Sequence, residues 1–177
     1  MKLSLLQPDI VWANPVANHE RISEILWGLD PSDVYVLPEM FSTGFAVEPN
    51  GVAEADFSSL AWMQKMAQEL KGAVCGSVAT EEDGNFYNRF YFVKPNGSYE
   101  SYDKRHLFTY ADEQRRYKRG EERKVVEFRG VRFLLQICYD LRFPVWTRNR
   151  KDYDAILYVA KWPTSRIEVW NTLLRAR

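Results

Sequence analysis

A mixed-sheet α/β fold built in layers is what this sequence predicts, on three observations. Short apolar strands alternate with amphipathic helices toward both ends of the chain. Two hairpins, marked by Asp83-Gly84 and Arg129-Gly130, lie between them. Val131–Ile137, written VRFLLQI, is a nearly unbroken apolar run of the kind an inner strand needs, because both of its faces must be desolvated.

Residues 2–7 (KLSLLQ) read as an opening strand. Asn14 and Pro15 then start a helix in which Ile22, Ile25, Leu26 and Leu29 make one apolar stripe, ended by Gly28 and Pro31. Residues 34–37 form a second buried strand that stops at Pro38-Glu39-Met40, and residues 41–45 (FSTGF) are a loop. Leu60, Met63, Ala67 and Leu70 mark a second amphipathic helix closed by Gly72. Residues 73–80, 86–93 and 98–102 are strands joined by tight turns, whereas 109–123 is a charge-dense loop of the length that is usually functional or mobile. Residues 124–128 pair with 131–137, residues 144–151 form a short helix, and 155–160 are a buried strand. After a break at Trp162-Pro163, Ser165 and Glu168 form a capping box for a helix with Ile167, Trp170, Leu173 and Leu174 inward.

The 177 residues suit one domain, 1–177, able to bury on the order of 70% of its unfolded surface. Lys plus Arg and Asp plus Glu both number 24, so no global field recruits nucleic acid or an anionic membrane. A small-molecule partner suits this balance better. Cys75 and Cys138 stand far apart without C-x-x-C pairing, so neither a zinc site nor a disulfide framework is indicated. The chain opens on a strand rather than a basic-then-apolar leader and has no long apolar span, which reads as a soluble cytoplasmic protein.

Three reactive side chains follow apolar strands: Glu39 after VYVLP, Lys104 after SYESYD, and Cys138 after FLLQI. Ligands in open α/β sheets gather at the carboxyl ends of strands, so the three can converge. A thiol has a pKa of about 8.5 and needs a cation or base to act as a nucleophile. Lys104 and the unpaired backbone N–H groups of the following helix are expected to favour the Cys138 thiolate, with Lys104 also stabilising an oxyanion and Glu39 moving protons. Taken singly, each has a plainer reading: Cys138 as a buried hydrophobe, Glu39 as a helix cap or ion pair, Lys104 as a solvated loop residue. Cys75 reads as core packing and His19 as a surface residue of its helix.

In this order, Pro38-Glu39-Met40, residues 102–108 (YDKRHLF) and residues 138–144 (CYDLRFP) resemble the motifs of the nitrilase superfamily of carbon-nitrogen hydrolases. Gln7-Pro8-Asp9 and Trp162-Pro163 with Arg166 fit as well. The resemblance implies an αββα sandwich with mixed sheets and a catalytic triad of Glu39, Lys104 and Cys138. A second glutamate bracing the lysine would be Glu113, with Glu121 and Glu122 close by in sequence, and the Tyr139 backbone N–H would complete the oxyanion hole. Phe45, Arg142 and Trp162 are candidates for binding substrate; Arg142 is equally a structural partner for Asp140 or Glu39. His106 suggests a Cys-His dyad, but the pattern places Lys104 in the site.

FSTGF and ADEQRRYKRGEE are most similar to the omega-amidase branch, which implies a linear ω-amide of a 2-oxo acid such as 2-oxoglutaramate as substrate, with water as co-substrate. No metal or cofactor is implied, and a homodimer is. Runner-up readings are a carbamoyl-amide or nitrile hydrolase and an inactive fragment acting as an interaction protein. Relatives usually carry Asn where this chain has Lys161, and they continue past Arg177, so a C-terminally truncated fold is expected. Lys104→Ala is expected to abolish turnover while leaving the fold intact.

Overall fold

Two sheets packed face to face organise the computed structural model, which describes residues 1–177. The first contains, in spatial and chain order, β1 (Leu3–Leu5), β2 (Val34–Val36), β3 (Ala73–Glu82), β4 (Asn85–Val93) and β5 (Tyr99–Asp103). β1, β2 and β3 run parallel, while β4 is antiparallel to both β3 and β5. The second sheet holds β7 (Val131–Ile137) between antiparallel β6 (Val125–Phe128) and parallel β8 (Ala155–Val159). Both sheets are therefore mixed.

Period-two alternation decides where each residue goes. Val34, Val36, Ala73, Cys75, Phe90 and Phe92 meet Phe133, Leu135, Ile137, Leu157 and Val159 between the sheets. Cys75 is fully buried there, as core. On the other face of the first sheet, Ile22 and Leu26 of α1 (Pro15–Trp27) join Leu60, Met63 and Ala67 of α2 (Ser58–Leu70). These close over Tyr35, Leu37, Val74 and Tyr91. Each such apolar side chain contributes roughly 1.5–3 kcal/mol on burial. The turn Cys138–Arg142, α3 (Pro144–Thr147) and α4 (Ile167–Ala176) lie on the second sheet's outer side, completing an α, β, β, α layering.

Local readings fail where tertiary or side-chain competition wins. Ile25 of α1 and Leu29, just beyond its end, are each 37% exposed, so the buried stripe is narrower than the periodicity suggests. The helix expected over 144–151 stops at Thr147, because Asn149 and Asp152 bond the backbone N–H groups of Lys151 and Arg150 in place of helical carbonyls. The Ser165/Glu168 capping box does not form: Thr164–Arg166 is a 3₁₀ turn, and Arg166 precedes α4 without a side-chain cap. Nor does α4 bury its apolar face; Ile167 and Leu174 are exposed, and Trp170 and Leu173 only half-buried. His19 is half-buried between α1 and α2, stacked on Trp62 at 4.8 Å with Nε2 2.9 Å from Ser59 Oγ, and burial lowers its pKa. No helix is long and apolar enough to cross a membrane.

Candidate active site

Glu39 leaves β2 on a segment that lies flat against β3, with Leu37 N donating to Cys75 O at 2.7 Å. Gly76 permits this approach, since a Cβ there would stand 2.8 Å from Leu37 Cβ. Met40 then turns the chain at φ 46°. Lys104 follows β5 directly, its N–H donating to Asn88 O at 3.0 Å and its carbonyl accepting from Gly120 N at 2.9 Å. Cys138 follows β7 at φ 45°, a left-handed backbone that costs a non-glycine residue on the order of 1–3 kcal/mol. The strain lifts the thiol out of the sheet and toward Glu39 and Lys104, so the three strand ends converge.

Lys104, Glu39 and Glu113 are all fully buried. Lys104 Nζ donates to Glu39 Oε1 at 2.7 Å and to Glu113 Oε2 and Oε1 at 3.0 and 3.2 Å. Glu113, rather than Glu121 or Glu122, is the second carboxylate. It arrives because residues 109–123 form two short 3₁₀ turns, with Tyr117 and Leu107 packed on Met40 and Ala79. Phe108 N also donates to Glu113 Oε2. Asn88 had no role in the sequence reading. Its Nδ2 donates to Glu39 Oε1 at 2.9 Å and Glu113 Oε1 at 3.1 Å, while its Oδ1 accepts from Ser77 Oγ. Lys161 N donates to Glu39 Oε2 at 2.9 Å, so the residue that departs from the expected Asn serves the site through its backbone.

The electrostatics overturn the expected resting thiolate. Burial alone would depress the Lys104 pKa, but Glu113 and Glu39 override it and hold the ammonium charged well above its ordinary range. That cation is thus already matched by two anions. Burial, and next the Glu39 charge, push the Cys138 pKa well up, with Lys104 opposing them too weakly to reverse the direction. The following helix does not rescue the expectation either, because a 3₁₀ turn intervenes and α3 is four residues long. The shift favours the Cys138 thiol over the thiolate, with the Glu39 carboxylate beside it. Cys75, fully buried, is likewise held as a thiol by burial.

Cys138 and Glu39 open onto a cavity of about 520 Å³ lined by Phe45, Phe108, Trp162, Arg142, Lys161 and Arg166, among others. Arg142 makes no ion pair with Asp140 or Glu39; it lies over the Trp162 ring at 5.6 Å. Arg166 lies over Tyr110 at 5.5 Å. Tyr139 follows Cys138, its ring against Phe108 and Phe143. His106 stands away from the thiol chemistry, with Nδ1 2.7 Å from Asp140 Oδ1. A groove of about 330 Å³ between α1 and α2, lined by His19, Trp27 and Trp62, contains no thiol. No group of three His, Cys, Asp or Glu side chains is placed to hold a metal ion.

Gly120 has a role legible only in three dimensions. A Cβ there would lie 2.1 Å from Asp103 O, next to the Lys104 peptide that Gly120 N bonds. Gly120→Ala is expected to cost about 1–3 kcal/mol and to lower turnover by displacing Lys104. Urea unfolding beside an activity assay checks this; wild-type stability would show that the loop yields freely.

A family model described as carbon-nitrogen hydrolase matches residues 2–177. The chain is 47% identical over 177 residues to a protein named Omega-amidase YafV from Yersinia enterocolitica, covering all of this chain and 69% of that protein. It is 34% identical to a 2-oxoglutaramate amidase from Bacillus subtilis, covering 99% of this chain and 70% of that one. Among solved structures, a CN-hydrolase superfamily protein from Xanthomonas campestris, with an arsenic adduct in its active site, superposes with a TM-score of 0.96 at 40% identity. The match covers 99% of this chain and 70% of that one.

Proposed function

The chain belongs to the carbon-nitrogen hydrolase family, and from that premise we propose that it hydrolyses the terminal amide of a small carboxylate-bearing acyl chain, an ω-amide of a 2-oxo acid, through a Cys138 thioester. One observation carries the reading. The cavity that holds a thiol beside a buried carboxylate is rimmed by Arg142, Lys161 and Arg166, none of which has a carboxylate partner within ion-pair reach. Such a rim favours a substrate with an anion at the end remote from the amide. The omega-amidase and 2-oxoglutaramate amidase relatives point the same way.

In this mechanism Glu39 takes the Sγ proton as sulfur attacks the amide carbon. The carbonyl oxygen becomes an oxyanion facing the Tyr139 N–H and Lys104. An ammonium carries three N–H bonds; Glu39 takes one and Glu113 shares one between its oxygens, which leaves one for the oxyanion. Collapse breaks the C–N bond, and Glu39 returns its proton to the departing ammonia. Water, deprotonated by Glu39, then attacks the thioester carbon, and the acid leaves as sulfur regains its proton.

Ammonia release over 2-oxo ω-amides, neutral amides of equal length, carbamoyl amino acids and nitriles tests the proposal beside Cys138→Ala. The 2-oxo ω-amides should be preferred, and Cys138→Ala should be inactive. Arg142→Gln/Arg166→Gln should lower kcat/KM for the carboxylated amide a little over tenfold, equivalent to about 1.5 kcal/mol, with neutral amides unchanged. Release of carbon dioxide with ammonia, or preferred turnover of a nitrile, would replace this reading by one of the runner-up chemistries. Equal losses on charged and neutral amides would remove the argument from the rim.

A further inference from the structure

Asp140 is a fully buried carboxylate that takes no part in the reaction described above, yet donors from three segments converge on it. Its Oδ2 accepts from Tyr102 Oη at 2.8 Å and from Ile137 N at 3.0 Å. Its Oδ1 accepts from His106 N at 2.9 Å and lies 2.7 Å from His106 Nδ1. A carboxylate accepts and does not donate, so Nδ1 is the protonated ring nitrogen in this pair. Tyr102 and His106 stand two residues to either side of Lys104, and Ile137 immediately precedes Cys138.

We propose that Asp140 is a positioning residue that locks the Cys138 turn to the Lys104 segment, and so sets the distance between nucleophile and ammonium. The inference rests on Cys138 being the nucleophile of the proposed reaction. Two further contacts make the lock stiff. Tyr102 Oη accepts from Arg105 N at 3.1 Å, so one hydroxyl holds both the carboxylate and the peptide after Lys104. The His106 ring stacks flat on Phe143, with centroids 3.8 Å apart and planes 5° apart, and Phe143 N closes the Cys138 turn by donating to Asp140 O at 3.0 Å. A left-handed residue such as Cys138 persists only where its surroundings over-determine it. The bond from Ile137 N to Oδ2, one residue upstream, is the constraint best placed to do so.

Asp140→Asn keeps the volume but sets an amide N–H against a backbone N–H on one side, and Tyr102→Phe removes only the bridging hydroxyl. A misplacement of about 1 Å between reacting groups typically costs about a hundredfold. We therefore expect kcat to fall about a hundredfold in Asp140→Asn and about tenfold in Tyr102→Phe, with KM within twofold. Alkylation of Cys138 by iodoacetamide should slow in parallel. Both readouts are taken per folded molecule, fixed by circular dichroism. A purely structural role would lower the unfolding midpoint while leaving kcat and alkylation per folded molecule unchanged, and that result overturns the proposal. If Asp140→Asn does not fold, Tyr102→Phe decides the matter alone. The alkylation arm needs no amide, so a wild-type protein that turns over no ω-amide would refute the proposed function while this comparison still decides the role of Asp140.

Discussion

Replacing Lys104 with alanine is expected to abolish amide turnover and to lower global stability by about 3–5 kcal/mol, because it leaves two buried carboxylates without their cation. This differs from the expectation read from sequence, in which the variant loses activity and keeps its fold. Lys104 has no solvent-facing surface, and Glu39 Oε1 and Glu113 Oε2 lie 2.7 and 3.0 Å from its Nζ. Removing the ammonium deprives both oxygens of their strongest donor. The deficit should depend on pH with a definite sign. Burying two carboxylate charges without their cation penalises the folded variant only while those charges are present. Stability relative to wild type should then recover as pH falls and worsen as it rises. Urea unfolding at several pH values checks the slope, and ammonia release checks activity. Adding Glu39→Gln and Glu113→Gln to Lys104→Ala should restore much of the stability and none of the turnover. A single variant that unfolds like wild type at neutral pH would mean that the buried trio contributes little.

The difference between the two expectations shows which parts of this molecule are legible in its sequence. Glu39, Lys104 and Cys138 stand out because each ends an apolar run, and a charge or thiol placed there is visible against the strand before it. The layering is legible for the same reason: period-two and helical apolar patterns state which face is inward, and both sheets obey them. Pairings across long stretches of chain are not legible. Asn88 bonds Glu39 across 49 positions, and Asp140 bonds Tyr102 across 38. Each sits within a strand or turn where a polar residue gives no local sign of its partner. The depth of burial around Cys138 is hidden in the same way, and burial, followed by the Glu39 charge, sets the direction of the Cys138 shift. At α4 the opposite failure occurs. A cap rule and an apolar stripe are both present in the sequence, but the cap is pre-empted by a 3₁₀ turn and the stripe finds little to pack against.

The Cys138 shift also fixes what Glu39→Gln should do, and the expected outcome pulls two measurements apart. The substitution keeps the side chain's length and its place beside Lys104 and Asn88 but removes the base, so kcat should fall by about 10²–10⁴. The Glu39 charge is, after burial, the largest cause holding the Cys138 pKa up, while Lys104 pulls it down. Deleting that charge removes the repulsion and leaves Lys104 with only Glu113 as counter-ion, so the thiol should ionise more easily. The pH profile of Cys138 alkylation should accordingly move to lower pH in the variant, even as amide hydrolysis is lost. A thiolate without an acid to protonate the departing ammonia attacks and reverts, which is why easier ionisation does not restore turnover. An alkylation profile that stays in place or moves to higher pH would separate Glu39 from Cys138 electrostatically, and a base that does not sense the thiol's charge is too far from it to take its proton.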